Sequence, residues 1–147
     1  MMPLQEMSDR LEIQDLFARY SFAIDDRNWD ALDEVFTEDA FIDYREAGGG
    51  CGSLPEIKRY LADAMAKFSG FQHLVATTEL KLDGDHATSR TILFNPMVTE
   101  QAGKSHVFFV GVWYVDELVR TSRGWRIRSR REKLSYFHNL PGDVPAP

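Results

Sequence analysis

Two periodicities divide the chain. Up to about residue 68 apolar residues return every three or four positions, and from residue 72 onward they alternate or run together. Ile13, Leu16, Phe17, Tyr20 and Ile24 fall on one helical stripe. Ser8 and Asp9 offer an N-cap, with Glu12 three residues past Asp9 as in a capping box. The stripe stops near Asp25, where Asp25-Asp26-Arg27-Asn28 breaks it. Trp29, Leu32, Val35 and Phe36 predict a second, short helix, and Ala40–Tyr44 a short strand. Ala47–Gly52 holds four glycines beside Cys51 and predicts a flexible loop. Ser53 and Glu56 form a further capping box, with Pro55 in the first turn, opening a helix that carries Ile57, Tyr60, Leu61, Ala64, Met65 and Phe68.

The later segments read as strands: His73–Leu82, a turn at Asp83-Gly84-Asp85, His86–Phe94 ended by Pro96, Lys104–Leu118, a turn at Thr121–Gly124, and Trp125–Phe137. Beyond Leu140, the prolines Pro141, Pro145 and Pro147 predict an irregular tail. Helices first and an antiparallel sheet last give an α+β layout, with helices packed on one face of a curved sheet. Val107–Val115 is apolar on both faces. The face turned away from the helices then needs cover, and a second copy of the chain is the simplest provider. A homo-oligomer is therefore expected.

With 147 residues and no repeat or linker, the chain reads as one domain over 1–147, with a core of about 8–138 and a tail of 139–147. Seventeen Lys and Arg stand against 23 Asp and Glu, and the net charge of −6 weighs against nucleic acid and anionic membrane surfaces as partners. The longest apolar run is far shorter than the ~20 residues a spanning helix needs. The N-terminus lacks a basic stretch followed by an apolar one, and Cys51, the single cysteine, cannot form an internal disulfide. A cytoplasmic setting is expected. No CxxC, HExxH, Walker loop or GxGxxG occurs, so neither a metal nor a cofactor is expected. Aromatic residues, 12% of the chain, can line a pocket for an apolar ligand.

The segments "IQDLFARYSFAIDDRNWDALDEVFTEDAFID", "LKLDGDHATSRTILF" and "GVWYVDELVRTSRGWRIRSRR" resemble SnoaL-like domains of the nuclear transport factor 2-like superfamily, over roughly residues 8–138. The resemblance implies the cone fold of that superfamily. It also implies kinship with scytalone dehydratase, the bile-acid 7α-dehydratases and the hexachlorocyclohexane dehydrochlorinase, which use an Asp–His pair and a nearby tyrosine inside the cone. The matching positions are Asp25, His73 and Tyr20; Arg128 and Arg130 on the last strand and His106 on the apolar strand match more loosely, with His106 and Arg128 as the expected substrate-binding residues. Trimeric assembly is implied in the same way.

The chemistry agrees with those residue types. Removing a carbon-bound proton suits histidine, whose pKa lies near the working pH. A carboxylate on its other ring nitrogen fixes the tautomer and stabilises the imidazolium. Tyr20 lies on the apolar stripe and is either a core ring or a hydrogen-bond donor to a substrate oxygen. Arg126, Arg128 and Arg130 share a face by strict alternation, with Arg128 as the expected inward one. His86 is expected to be solvated and His138 structural, while Cys51 has no base beside it. Asp43 and Tyr44 could also reach the cone interior. The expected function is a cofactor-independent, dehydratase-like lyase acting on a small apolar cyclic or polycyclic molecule such as a polyketide, steroid or terpenoid derivative. His73 would be the base, Asp25 its orienting carboxylate and Tyr20 the donor. An isomerase or cyclase using the same pair is the near alternative. A ligand-binding module, or a small subunit of a ring-hydroxylating dioxygenase, is the alternative from another class.

Overall fold

The computed structural model describes residues 1–142. Helix α1 spans Leu4–Asp25, starting ahead of the Ser8–Asp9 signal, with Pro3 at the N-cap. Asp9 is therefore inside the helix, and the expectation that it caps is overturned. Its carboxylate instead takes Arg120 in two bonds (2.7 and 2.8 Å) and the indole N–H of Trp125 (3.1 Å). Glu12 accepts the backbone N–H of Trp125 (2.8 Å). Acids that look like caps are anchors to the far end of the chain, because charge-assisted bonds outweigh a local cap. The stripe Ile13, Leu16, Phe17, Tyr20 and Ile24 is buried.

Trp29–Glu34 is a 3-10 helix, and Phe36 already belongs to strand β1, Phe36–Asp43. The glycine-rich stretch is more structured than expected. Arg45–Ala47 is a 3-10 turn and Cys51–Ser53 is strand β2, paired antiparallel with β1. Helix α2, Leu54–Met65, opens as its capping box predicts: the Glu56 carboxylate accepts both the backbone N–H and the hydroxyl of Ser53 at 2.8 Å.

The remaining strands are β3 (Gly70–Phe71), β4 (Leu74–Asp83), β5 (His86–Gln101), β6 (Lys104–Thr121) and β7 (Gly124–His138). The sheet order is β2-β1-β7-β6-β5-β3, with β4 also on β5; every pairing is antiparallel except β1 with β7. Helix α1 packs against both β4 and β7, although two strands separate them, so the sheet curls around it. This is the α+β cone expected from the chain.

Pro96 does not end its strand, which corrects the expected stop. Its missing N–H falls at the gap between β3 and β4, where β5 pairs Phe94 with Leu74 and Met97 with Phe71. There Gln72 N–H donates to the Pro96 carbonyl (3.1 Å), and the Gln72 carbonyl accepts the Asn95 side-chain amide (2.7 Å) in place of a proline hydrogen. Two register shifts bend β7 against β6, one between Leu118–Ile127 and Glu117–Ser129, the other between Val112–Leu134 and Gly111–Tyr136. No helix among the described residues is long and apolar enough to cross a membrane. Pro145 and Pro147 lie outside the described residues.

Candidate active site

Helix α1 ends at Asp25, and the chain returns beside it just before β4. Arg27, in a left-handed conformation (φ 55°), donates to the carbonyls of Met65 (2.6 Å) and Phe68 (2.9 Å), tying the end of α1 to the end of α2. Its guanidinium also lies over the Phe71 ring at 4.6 Å. The Ser21 hydroxyl donates to the His73 carbonyl. These contacts fix both backbones at the place where Asp25 and His73 meet.

The Asp25 carboxylate accepts the His73 backbone N–H (3.1 Å to each oxygen) and bonds ring Nδ1 at 2.8 Å. A carboxylate can only accept, so Nδ1 carries the hydrogen and Nε2 is left with the lone pair in the neutral ring. Phe71 stands edge-on to the imidazole, 5.8 Å between centroids, and the His73 side chain is only 9% exposed.

His73 lines a cavity of about 430 Å³. Leu61, Met65, Leu93, Met97, Phe108 and Phe137 supply much of its apolar wall. Leu140, in the described part of the tail, also lines it. Tyr20, 2% exposed, lines it too, and its hydroxyl lies 2.8 Å from that of Tyr44 and accepts from Tyr114 at 3.4 Å. Three hydroxyl hydrogens serve two bonds in this chain. The hydrogen left over sits on Tyr20 or Tyr44, both of which face the cavity. Burial pushes all three phenols up, so they stay protonated.

Beneath the tyrosines lies a sealed ion pair. Arg130 donates to both oxygens of Asp116 (2.8 and 2.7 Å), and each residue is 1% exposed. Burial opposes the charge on Arg130, and Asp116 more than offsets it. The guanidinium lies 4.2 Å from the Tyr20 ring centre and 3.9 Å from that of Tyr114. Its Nη1 has no hydrogen-bond partner among the described residues.

Two expected binding residues stand elsewhere. Arg128 is exposed and does not line the cavity. It is the residue skipped in the β6–β7 register, so the bulge breaks the alternation and turns Arg130 inward instead. Arg126 bonds Glu34 (2.9 Å) on the other face. His106 does not line the cavity either; its Nε2 bonds the Asn139 carbonyl at 2.7 Å, where the last strand gives way to the tail. Asp43 is held by Arg45 (3.0 and 2.8 Å), which lowers its carboxyl to about 2, and Tyr44 rather than Asp43 reaches the cavity. His86 is exposed, His138 stacks on Phe109 at 5.8 Å, and Cys51 is a free, exposed thiol. Among the described residues no group of three or more His, Cys, Asp or Glu could hold a metal ion.

Glu132 is the cavity residue that sequence reasoning missed. It pairs with Tyr114, lines the cavity and is half-buried. Burial pushes its carboxyl up to about 8, with Asp43 adding to the rise and Arg130 opposing it. Its alternation with Arg130 and Leu134 is the signal that would have placed it inward.

A family model described as a SnoaL-like domain matches residues 5–131. An uncharacterised protein of Mycobacterium tuberculosis is 48% identical over 132 residues, which is 90% of this chain and 89% of that protein. Among solved structures, a Kribbella flavida protein superposes with a TM-score of 0.82 at 27% identity, over 91% of this chain and 95% of its own. A hexachlorocyclohexane dehydrochlorinase from Novosphingobium barchaimii superposes with a TM-score of 0.78 at 20% identity, over 98% of each chain.

Proposed function

The chain belongs to the SnoaL-like domain family, and from that premise we propose that it is a cofactor-independent lyase of the dehydratase type. The observation that carries the reading is the Asp25–His73 bond at the wall of an apolar cavity. In this mechanism Nε2 of His73 takes a proton from the carbon next to a carbonyl. Asp25 holds the tautomer and stabilises the imidazolium. The spare hydroxyl hydrogen of Tyr20 or Tyr44 bonds the substrate carbonyl oxygen, where negative charge grows. A cavity of about 430 Å³ admits a molecule of one to three rings, which favours a small apolar cyclic substrate. That open space also favours a ligand-handling role over a scaffold. If the enol formed is reprotonated elsewhere instead of expelling a group, the same residues make an isomerase.

The test is a panel of one- and two-ring β-hydroxy ketones, followed by the ultraviolet absorbance of the conjugated enone. His73→Ala is expected to slow turnover by about 10²–10⁴-fold. Asp25→Asn, which keeps the volume but loses the carboxylate, is expected to lower kcat with little change in KM. Full activity in His73→Ala, or an inert wild type, defeats the reading.

We further propose that the outer face of the sheet meets a second copy of the chain, with a trimer favoured. Phe94, Phe109 and His138 stack there in a row (5.3 and 5.8 Å between neighbouring centroids), and Ile92, Val107 and Tyr136 are exposed.

A further inference from the structure

Glu132 is the one carboxylic side chain among the residues that line the cavity with His73. A carboxyl in an apolar wall normally finds a cation or several N–H donors. Here no described hydrogen bond or ion pair reaches it, although Arg130, whose Nη1 has no partner among the described residues, lies on the same strand and opposes the rise of its carboxyl. The Nε and Nη2 of Arg130 turn to Asp116. Asp43 of β1 holds Arg45. Tyr20 of α1, Tyr44 after β1 and Tyr114 of β6 bond one another. His73 bonds Asp25, and Tyr60 of α2 and the exposed Lys67 share the cavity wall without bonding Glu132. Pushed up to about 8, the carboxyl keeps its hydrogen at neutral pH, yet gives it up far more readily than the raised tyrosines around it.

We propose that Glu132 is the acid of this site, bonding the leaving oxygen of the substrate and giving it a proton while His73 takes the carbon-bound one. The inference rests on the lyase reading and narrows it to substrates that lose a hydroxyl group. As the C–H bond breaks, its electron pair forms the new C=C bond and the C–O pair passes to oxygen. The Glu132 proton joins that oxygen and water leaves. Glu132 ends as carboxylate and His73 as imidazolium. One proton returned from imidazolium to carboxylate restores both, so the net change is the loss of water. Hydroxide is a poor leaving group and needs that proton, whereas chloride or an acidic phenoxide does not.

Two measurements test this. Carbon-13 NMR of the side-chain carboxyls, titrated without substrate, is expected to show one signal with a midpoint near 8 that vanishes in Glu132→Gln. A midpoint in the ordinary carboxylate range overturns the proposal. Turnover is then compared on 3-hydroxycyclohexanone and 3-(4-nitrophenoxy)cyclohexanone. Glu132→Gln is expected to lose about 10²-fold or more on the hydroxyl substrate and only a few-fold on the nitrophenoxy one. Equal losses on both, or none on either, overturn it. His73→Ala is expected to lose rate on both probes; if it keeps both rates, the lyase reading is what falls.

Discussion

Arg130 and Asp116 are sealed beneath the tyrosines, and neither can lose the other cheaply. Asp116→Asn leaves a guanidinium buried without its counter-charge, a change that costs about 3–5 kcal/mol in comparable pairs. Urea unfolding is expected to show a lower midpoint with little change in slope, and a stability within ~1 kcal/mol of wild type would contradict the part assigned to the pair. At this scale Asp25, His73 and Tyr20 came forward through the resemblance to SnoaL-like domains, because an Asp that ends a helix, a His that starts a strand and a Tyr on an apolar stripe are by themselves equally ordinary in structural roles. Which of Arg128 and Arg130 turns inward was not legible. Their orientation depends on one skipped residue in a strand, and a run of basic side chains gives no sign of which position bulges.

The elements were largely readable where their signals are local. The capping box of α2, the Asp83–Asp85 turn and the apolar run of β6 all depend on neighbours in the chain. Where the outcome depends on distant partners, reading failed: Asp9 looks like a cap until Arg120 and Trp125 are folded onto it, and Pro96 looks like a stop until Asn95 is seen satisfying Gln72. The glycine-rich turn after β1 is a further case. A Cβ on Gly49 would stand 2.6 Å from Tyr44 Cβ and 2.9 Å from its carbonyl oxygen, both rigid neighbours. Gly49→Ala is therefore expected to destabilise by about 1–3 kcal/mol. It should also push Tyr44 off Tyr20, weakening binding of a bicyclic ketone in calorimetry. Unchanged melting together with unchanged affinity would show the turn to be more yielding than its packing implies.

At the scale of the whole molecule, the inner face of the sheet serves the cavity and the outer face is left aromatic. The sequence carried that message in the two-sided apolar run of β6. A charge placed in the stack tests the assembly proposed for it: Phe109→Asp is expected to reduce the mass seen by light scattering to that of one chain, with the far-ultraviolet spectrum of the fold retained. A wild-type protein that is already monomeric contradicts the assembly outright. The pairing of β1 with β7 has a different consequence. The first strand of the sheet finds its parallel partner in the last, and α1 is pinned by residues 120 and 125. Nearly the whole polypeptide must leave the ribosome before either can be placed. Such long-range closure belongs to slow folders, with relaxation in roughly milliseconds to seconds. A nascent chain halted before Gly124 would hold an amphipathic helix and an open sheet edge, both in need of a chaperone until the final strand arrives.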